Sequence, residues 1–294
     1  MSKIFVSGLS NTETSCRVGS FPIEYAPVDY NFFGVTSVAS GVGLNVALAL
    51  TKLGDDVTLA SFAADDAAGI AVRSAAEPIH EARLAPCADT PQSVVLFDGD
   101  GRRRVYTDLK DIQDRRLPSE IYADIADHDA FCLCNINFSR ELLPLAKATG
   151  KPILCDVHCL SDTADEYNAD FMRYADVLFL SNENIQGREE GFIRELSEAY
   201  PCDIIAVGMG SKGALLYTRE DDELSLIPAV STREVVNTVG AGDALFSAFT
   251  HFYVKGFSPR ESMRAAVAFA SYKIGESGAS RGFLTEAQLT AMLK

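Results

Sequence analysis

The sequence predicts an α/β protein whose parallel sheet carries helices on both faces, with a small β-rich appendage. Three observations carry that reading. From about residue 130 onward, apolar runs of strand length alternate with segments of helical period. Two glycine-rich segments, at 40–45 and 240–242, each open a stretch of helical period. Residues 16–37 and 93–108 break the rhythm, the first aromatic with little helical period, the second reading strand, turn, strand.

In chain order, residues 3–7 make the first strand, an apolar stretch too short for a signal-peptide core. Ser40-Gly-Val-Gly-Leu-Asn45 then leads into Val46, Ala47, Leu50 and Leu53 at helical spacing, with Gly54 as the stop. Glycines at a helix start let another group come close to the backbone. That group is either a small ligand, with the Asn45 amide on one of its hydroxyls, or a closely packed sheet. Residues 93–108 form a hairpin around Asp-Gly-Asp-Gly at 98–101.

Beyond residue 130, strands at 130–133, 153–156, 177–180 and 204–207 alternate with helices at 140–149, 171–175 and 191–199. This is the signature of βαβ units. Gly208-Met-Gly-Ser-Lys-Gly213 has the letters of a dinucleotide fingerprint, but a strand at 214–218 and a turn at 219–223 come after it where that fingerprint needs a helix. It reads as a tight strand-to-strand turn. A last helix runs from near Gly242 to Gly256, with Leu245, Ala248, Phe249 and Phe252 on one face.

Composition bounds what such a fold can do. The 294 residues, 47% hydrophobic, suffice for one large domain, and no Pro/Ser-rich linker or repeat divides them, so 1–294 is read as one unit. A net charge of −15 repels polyanions, so nucleic acid and anionic membranes are poor partners, and a phosphate must be held by local devices. No run approaches the length of a spanning helix. Seven cysteines, an odd number, form no disulfide framework, and Cys132-x-Cys134 reads as alternate buried thiols of a strand. The expected location is cytoplasmic.

The chemistry concentrates at Asn237-Thr-Val-Gly-Ala-Gly-Asp243. Gly240, Ala241 and Gly242 lay small residues and unpaired N–H groups across a helix N-terminus, where backbone dipoles favour an anion. Asp243 falls in the first turn. It either satisfies the dipole or, if the anion is a transferring phosphoryl group, accepts the proton of an attacking hydroxyl. His158 and His251 show no sequence partner and read as structural.

Over essentially its whole length the chain resembles the ribokinase-like, or PfkB, family of sugar and nucleoside kinases, on the two glycine-rich segments in this order. The resemblance implies a doubly wound sheet, with a lid from segments near 12–38 and 88–110, over the acceptor. It implies ATP and Mg²⁺ and transfer of the γ-phosphoryl to a primary hydroxyl, with Asp243 as general base and Gly240, Ala241 and Gly242 as anion hole. Asn11 and Glu13 fall where the family holds acceptor hydroxyls, with Gly41 and Asn45. Asn182 and the turn of Gly208, Gly210 and Gly213 fall where it binds the nucleotide.

Two positions depart from the family pattern. The acid that helps organise Mg²⁺ is replaced by Ile185, leaving Glu183 as the nearest carboxylate. Asn237 replaces an Asp associated with a monovalent-cation site, which puts potassium use in doubt. The residues 156–160 lack the Asn and Arg common in sugar-acid kinases, and Val42 stands where phosphosugar kinases often carry Lys. A pentose or ketohexose is expected as acceptor, with a nucleoside or a non-catalytic sugar- or nucleotide-binding role as alternatives. Arg102, Arg103 and Arg104 either meet an anionic acceptor or form a solvated face, and the aromatics between 21 and 33 either stack on a base or form lid core. A homodimer through the lid edge is the expected assembly.

Overall fold

A computed structural model describes residues 1–99 and 102–293. Strands β1 (Lys3–Ser7), β2 (Asn11–Arg17) and β3 (Val35–Ser40) lead into α1 (Val42–Leu53). Then come β4 (Asp56–Phe62), α2 (Ala67–Ala76), β5 (Glu81–Ala85) and the hairpin β6 (Gln92–Phe97) and β7 (Arg103–Asp108). The alternating half runs β8 (Ala130–Leu133), α3 (Asn137–Arg140), α4 (Leu142–Ala148), β9 (Ile153–Cys159), α5 (Ala169–Tyr174), β10 (Val177–Ser181), α6 (Glu189–Ala199) and β11 (Ile204–Gly208). β12 (Gly213–Thr218) and β13 (Glu223–Pro228) come next, and the chain closes on α7 (Ala241–Val254), α8 (Pro259–Lys273) and α9 (Glu286–Met292).

Nine strands form one sheet in the order β13-β12-β11-β10-β9-β8-β1-β4-β5, parallel from β11 to β5 and antiparallel at β12 and β13. Its strands are apolar in both phases because helices cover both faces. Ile4 and Val6 pack with Leu44 of α1, Phe249 of α7 and Phe269 of α8, while Phe5 joins Leu142, Phe171 and Phe192 on the other side. The strand order reverses between β1 and β8. A crevice outside the carboxyl ends of strands at such a reversal is where open α/β sheets place ligands.

The β4-α2-β5 unit escaped the sequence reading because polar residues interrupt its run. Thr58 and Ser61 are nonetheless buried, with the Thr58 hydroxyl on His128 Nε2 at 3.0 Å and Ser61 donating to the Gly8 carbonyl at 2.7 Å. The predicted helix at 140–149 divides into α3 and α4, and the strand at 153–156 runs on to Cys159. Gly208 to Gly213 is the turn joining antiparallel β11 and β12, with Met209 N–H on the Gly213 carbonyl at 2.8 Å.

A second, four-stranded sheet in the order β3-β2-β6-β7 stands on the first through β2. The β6–β7 pairing is the expected hairpin, although Asp100 and Gly101 of its turn lie outside the described residues. One expectation fails here. The aromatics between 21 and 33 are not the core of this sheet, since Tyr25, Tyr30, Phe32 and Phe33 are exposed. All seven cysteines are free thiols, and burial pushes Cys132 up to about 12.

Candidate active site

The first glycine segment packs. A Cβ on Gly43 would lie 2.5 Å from the backbone of Gly8, and one on Gly41 would lie 2.4 Å from the Leu9 carbonyl. Gly41 also holds φ at 102°, which an L side chain resists. α1 therefore starts pressed against the end of β1, with Gly43 N–H on the Leu9 carbonyl at 2.9 Å. The close-packed sheet is thus one real partner of these glycines, and Gly41 borders the crevice as well.

The second segment opens. Gly240 caps α7 in the left-handed region at φ 77°, and a Cβ there would meet the Ala279 carbonyl at 2.8 Å. Gly242, one step into the helix, has nothing among the described residues within 4 Å of where a Cβ would be. The first N–H groups of a helix lack intrahelical acceptors. Of these, Ala241 already donates to the Thr238 carbonyl at 3.2 Å.

The two segments meet through their side chains. Asn45, in the first turn of α1, donates from Nδ2 to Oδ2 of Asp243 at 2.7 Å. One N–H of its amide is thus engaged by the carboxylate, while its side-chain oxygen is buried without a hydrogen-bond partner among the described residues. Burial raises the Asp243 carboxyl above its ordinary value, opposed by the Asn45 amide, His158 and Lys273 and reinforced by Asp156. Burial likewise raises Glu13, with the Asp243 charge adding to the effect. Two carboxyls, both raised by burial, thus face one cavity.

That cavity, about 380 Å³, lies at the β1/β8 reversal and is lined by Asn11, Glu13, Gly41, Asn45, Gly240 and Asp243 among others. Six of the predicted residues thus share one space. Asn11 Nδ2 donates to Ser93 Oγ at 2.7 Å across β2 and β6. Ser93, Thr107 and Gln113 join from the small sheet and the segment after it, His158 from the end of β9, and Asn135 and Tyr167 from the large sheet's loops. None of these had a sequence signal, because strand register and loop course bring them in. His158, read as structural, borders the cavity, held at φ 58°. His251 does turn inward, its Nδ1 2.7 Å from Oδ2 of buried Asp55.

Asn182, Glu183 and Gly208 sit at the carboxyl ends of β10 and β11, with Gly210 and Gly213 in the turn beyond, outside the cavity lining. Asn182 N–H bonds the Gly208 carbonyl at 3.0 Å, and its side chain donates to Glu189 Oε1 at 2.9 Å. Ile185 is buried apolar core, so nothing polar remains at that position. Glu183 is exposed and paired with Arg103 of β7 at 2.9 Å. Among the described residues no three His, Cys, Asp or Glu side chains gather as a metal site.

Lys273, at the end of α8, went unread. Its side chain is fully buried, with Nζ donating to the Val239 carbonyl just before Gly240. Burial lowers it to about 8, against the pull of Asp243 and Glu13. Ser258-Pro-Arg-Glu261, a capping box with Pro at the first turn, was the sequence signal that would have placed this helix.

The sequence pattern of the pfkB family carbohydrate kinases matches residues 1–286. The chain belongs to that family. The fold agrees: a microbiome-derived acarbose kinase superimposes with TM-score 0.88 at 23% identity, covering 99% of this chain and 98% of that one. Among curated relatives, deoxyribokinase of Salmonella typhimurium is 39% identical over 79 residues, 27% of this chain and 25% of the relative. The ATP-dependent ribose-1-phosphate kinase of Halopiger xanaduensis is 23% identical over 291 residues, 95% of this chain and 94% of that protein. Among the described residues no helix is long and apolar enough to cross a membrane.

Proposed function

We propose that this kinase transfers the γ-phosphoryl group of ATP to a primary hydroxyl of a neutral sugar, a pentose or ketohexose. The observation that carries the acceptor class is the cavity lining. Among the described residues it contains no Lys or Arg, and the side-chain oxygens of Asn11, Asn45 and Gln113 are buried there without a hydrogen-bond partner. Unpaired buried acceptors are costly, and a polyol supplies the donors they lack. Arg102, Arg103 and Arg104 do not line the cavity: the first bonds Asp98, the second Glu183, and the third lies over the Tyr106 ring. A nucleoside is the less favoured acceptor, because the Tyr167 ring is already stacked by the Arg140 guanidinium.

In this reading the acceptor oxygen attacks the γ-phosphorus, the bond to the β-phosphate oxygen breaks, ADP leaves, and the hydroxyl proton passes to Asp243. The amides of Gly240 and Gly242, with Ala241 if its turn opens, face the charge on the transferring group. Asn11, Glu13 and the Asn45 oxygen hold the sugar. Asn182 and the turn of Gly208, Gly210 and Gly213 bind the nucleotide, and the small sheet serves as lid. Mg²⁺, when bound, would offset phosphate charge during transfer; Glu183, the nearest carboxylate, is tied to Arg103, so among the described residues it is the one acid that would have to let go of its partner to help hold the ion. The exposed apolar side chains of the lid, Val35, Val94, Val105 and Tyr106 among them, support pairing of two lids in a homodimer.

The test is ATP consumption with Mg²⁺ against pentoses, ketohexoses, phosphosugars, sugar acids and nucleosides, with Asp243→Asn as control. Turnover on a neutral sugar that collapses in the variant is expected. A preference for a phosphosugar or nucleoside would overturn the acceptor class, and ATP binding without turnover on any of them would overturn the transfer itself.

A further inference from the structure

The turn that presents the anion-binding amides is held from behind by a buried charge. Lys273 reaches from the end of α8 to the Val239 carbonyl, the last acceptor before Gly240. Around it the turn is closed. Val236 and Asn237 donate their N–H groups to the Ile274 carbonyl at 2.8 and 3.0 Å, and Asn237 Oδ1 accepts the Val239 N–H at 2.8 Å. Two oxygens of this turn, one from the Asn237 side chain and one from the Val239 backbone, are thereby engaged within the chain. The charged groups around the ammonium are Asp243 on α7, Glu13 on β2, and Arg233 and Glu276 on the loops flanking it.

We propose that Lys273 is a positioning residue that supplies this site's monovalent cation from within the chain, its ammonium fixing the Val239–Gly240 turn and balancing Asp243 and Glu13. The inference rests on the phosphoryl-transfer reading for its kinetic consequence. An isolated ammonium is expensive to bury, and two nearby carboxyls and a backbone carbonyl are what offset that cost here. Asn237, neutral where a carboxylate would attract a free ion, fits the same arrangement, since the positive charge is already present.

The test compares melting temperature and turnover in KCl and in choline chloride at equal ionic strength. Melting needs no acceptor, so a failed kinase reading leaves that arm intact. Wild type should melt within about 1 °C in the two salts and turn over equally fast, since a specific ion that binds only the folded state raises the melting temperature. Lys273→Met should lose on the order of tenfold or more in kcat, with a smaller change in acceptor KM, because an ill-set turn weakens the transition state more than the ground state. In that variant K⁺ or methylammonium, but not choline, should raise the melting temperature by several degrees and restore part of kcat. A K⁺-specific rise in wild-type melting or rate overturns the proposal, as does a folded Lys273→Met that ignores K⁺ and keeps its rate. If Lys273→Met does not fold, Lys273→Arg decides: K⁺-independent turnover supports an internal cation, and acquired K⁺ dependence overturns it.

Discussion

The two glycine segments begin helices α1 and α7 on the same face of the large sheet, and they use glycine for opposite reasons. At Gly41 and Gly43 the missing side chain is replaced by the protein itself, with backbone atoms of Leu9 and Gly8 within 2.4–2.5 Å of where a Cβ would stand. At Gly242 nothing among the described residues lies within 4 Å. One segment is small so that a helix can press on a strand, and the other leaves open space at a helix end, where the proposed reading puts the transferring group. Gly240 stands between the two, crowded by Ala279 on one side and bordering the cavity on the other. The contrast separates residues that build the site from residues that serve it, although both read alike as glycine at a helix start.

Asp243→Asn is the strongest way to sharpen that contrast. Turnover should fall by about 10²- to 10⁴-fold, the worth of a general base. Stability should not fall with it. A carboxyl whose value is raised by burial is ionised at neutral pH at the expense of the fold, a cost relieved as pH falls through the folded value. The neutral amide should therefore melt at or above wild type at pH 7, and a lower melting temperature would break the assignment of Asp243 to the serving class.

Gly43→Ala should do the reverse. Forcing a methyl against the Gly8 backbone should cost about 1–3 kcal/mol of stability, read as a lower urea midpoint at unchanged slope. If the variant is as stable as wild type, the packing account of the first segment fails. Gly242→Ala sits at the other pole. Its methyl enters open space and Ala favours helix, so stability should hold or rise slightly. Turnover should drop on the order of tenfold, about 1.4 kcal/mol of transition-state stabilisation, because the methyl intrudes on the anion's approach.

The smallest expected effect lies where the segments touch. Asn45 holds the Asp243 carboxyl down by donating to it, so Asn45→Ala should raise that carboxyl further. Turnover requires the ionised base and is lost as pH falls through its value. The acid limb of the kcat profile should therefore move to higher pH in the variant, and an unmoved limb would show that Asn45 does not tune Asp243.

Much of this was legible in the chain. Strands 130–133, 177–180 and 204–207 could be read because a strand buried on both faces leaves an unbroken apolar run between turn signals, and the helix after Gly242 because its apolar face repeats at helical spacing. The turn at Gly208 to Gly213 could be distinguished from a dinucleotide site because it leads into a strand and not a helix. Asp243 had two readings in the chain, a partner of the helix dipole or a base, and stood out through the family motif that carries it. The sequence was silent where polar groups are satisfied by distant partners. Thr58 and Ser61 disguised β4, since the His128 ring and the Gly8 carbonyl that make them burial-compatible lie far along the chain.

Residue types and their periods, then, determined by themselves the α/β class and the two helix starts, because those signals are local, while the choice of Asp243 as base over a dipole partner came from the family resemblance. Only the tertiary structure decided that Asn45 would meet Asp243 across 198 residues, that Ser93, Thr107 and His158 would border the same cavity, and that Lys273 would reach the Val239 carbonyl. Pairings of that kind arise from strand order and helix packing, and side chains brought together by packing leave no spacing in the chain to read.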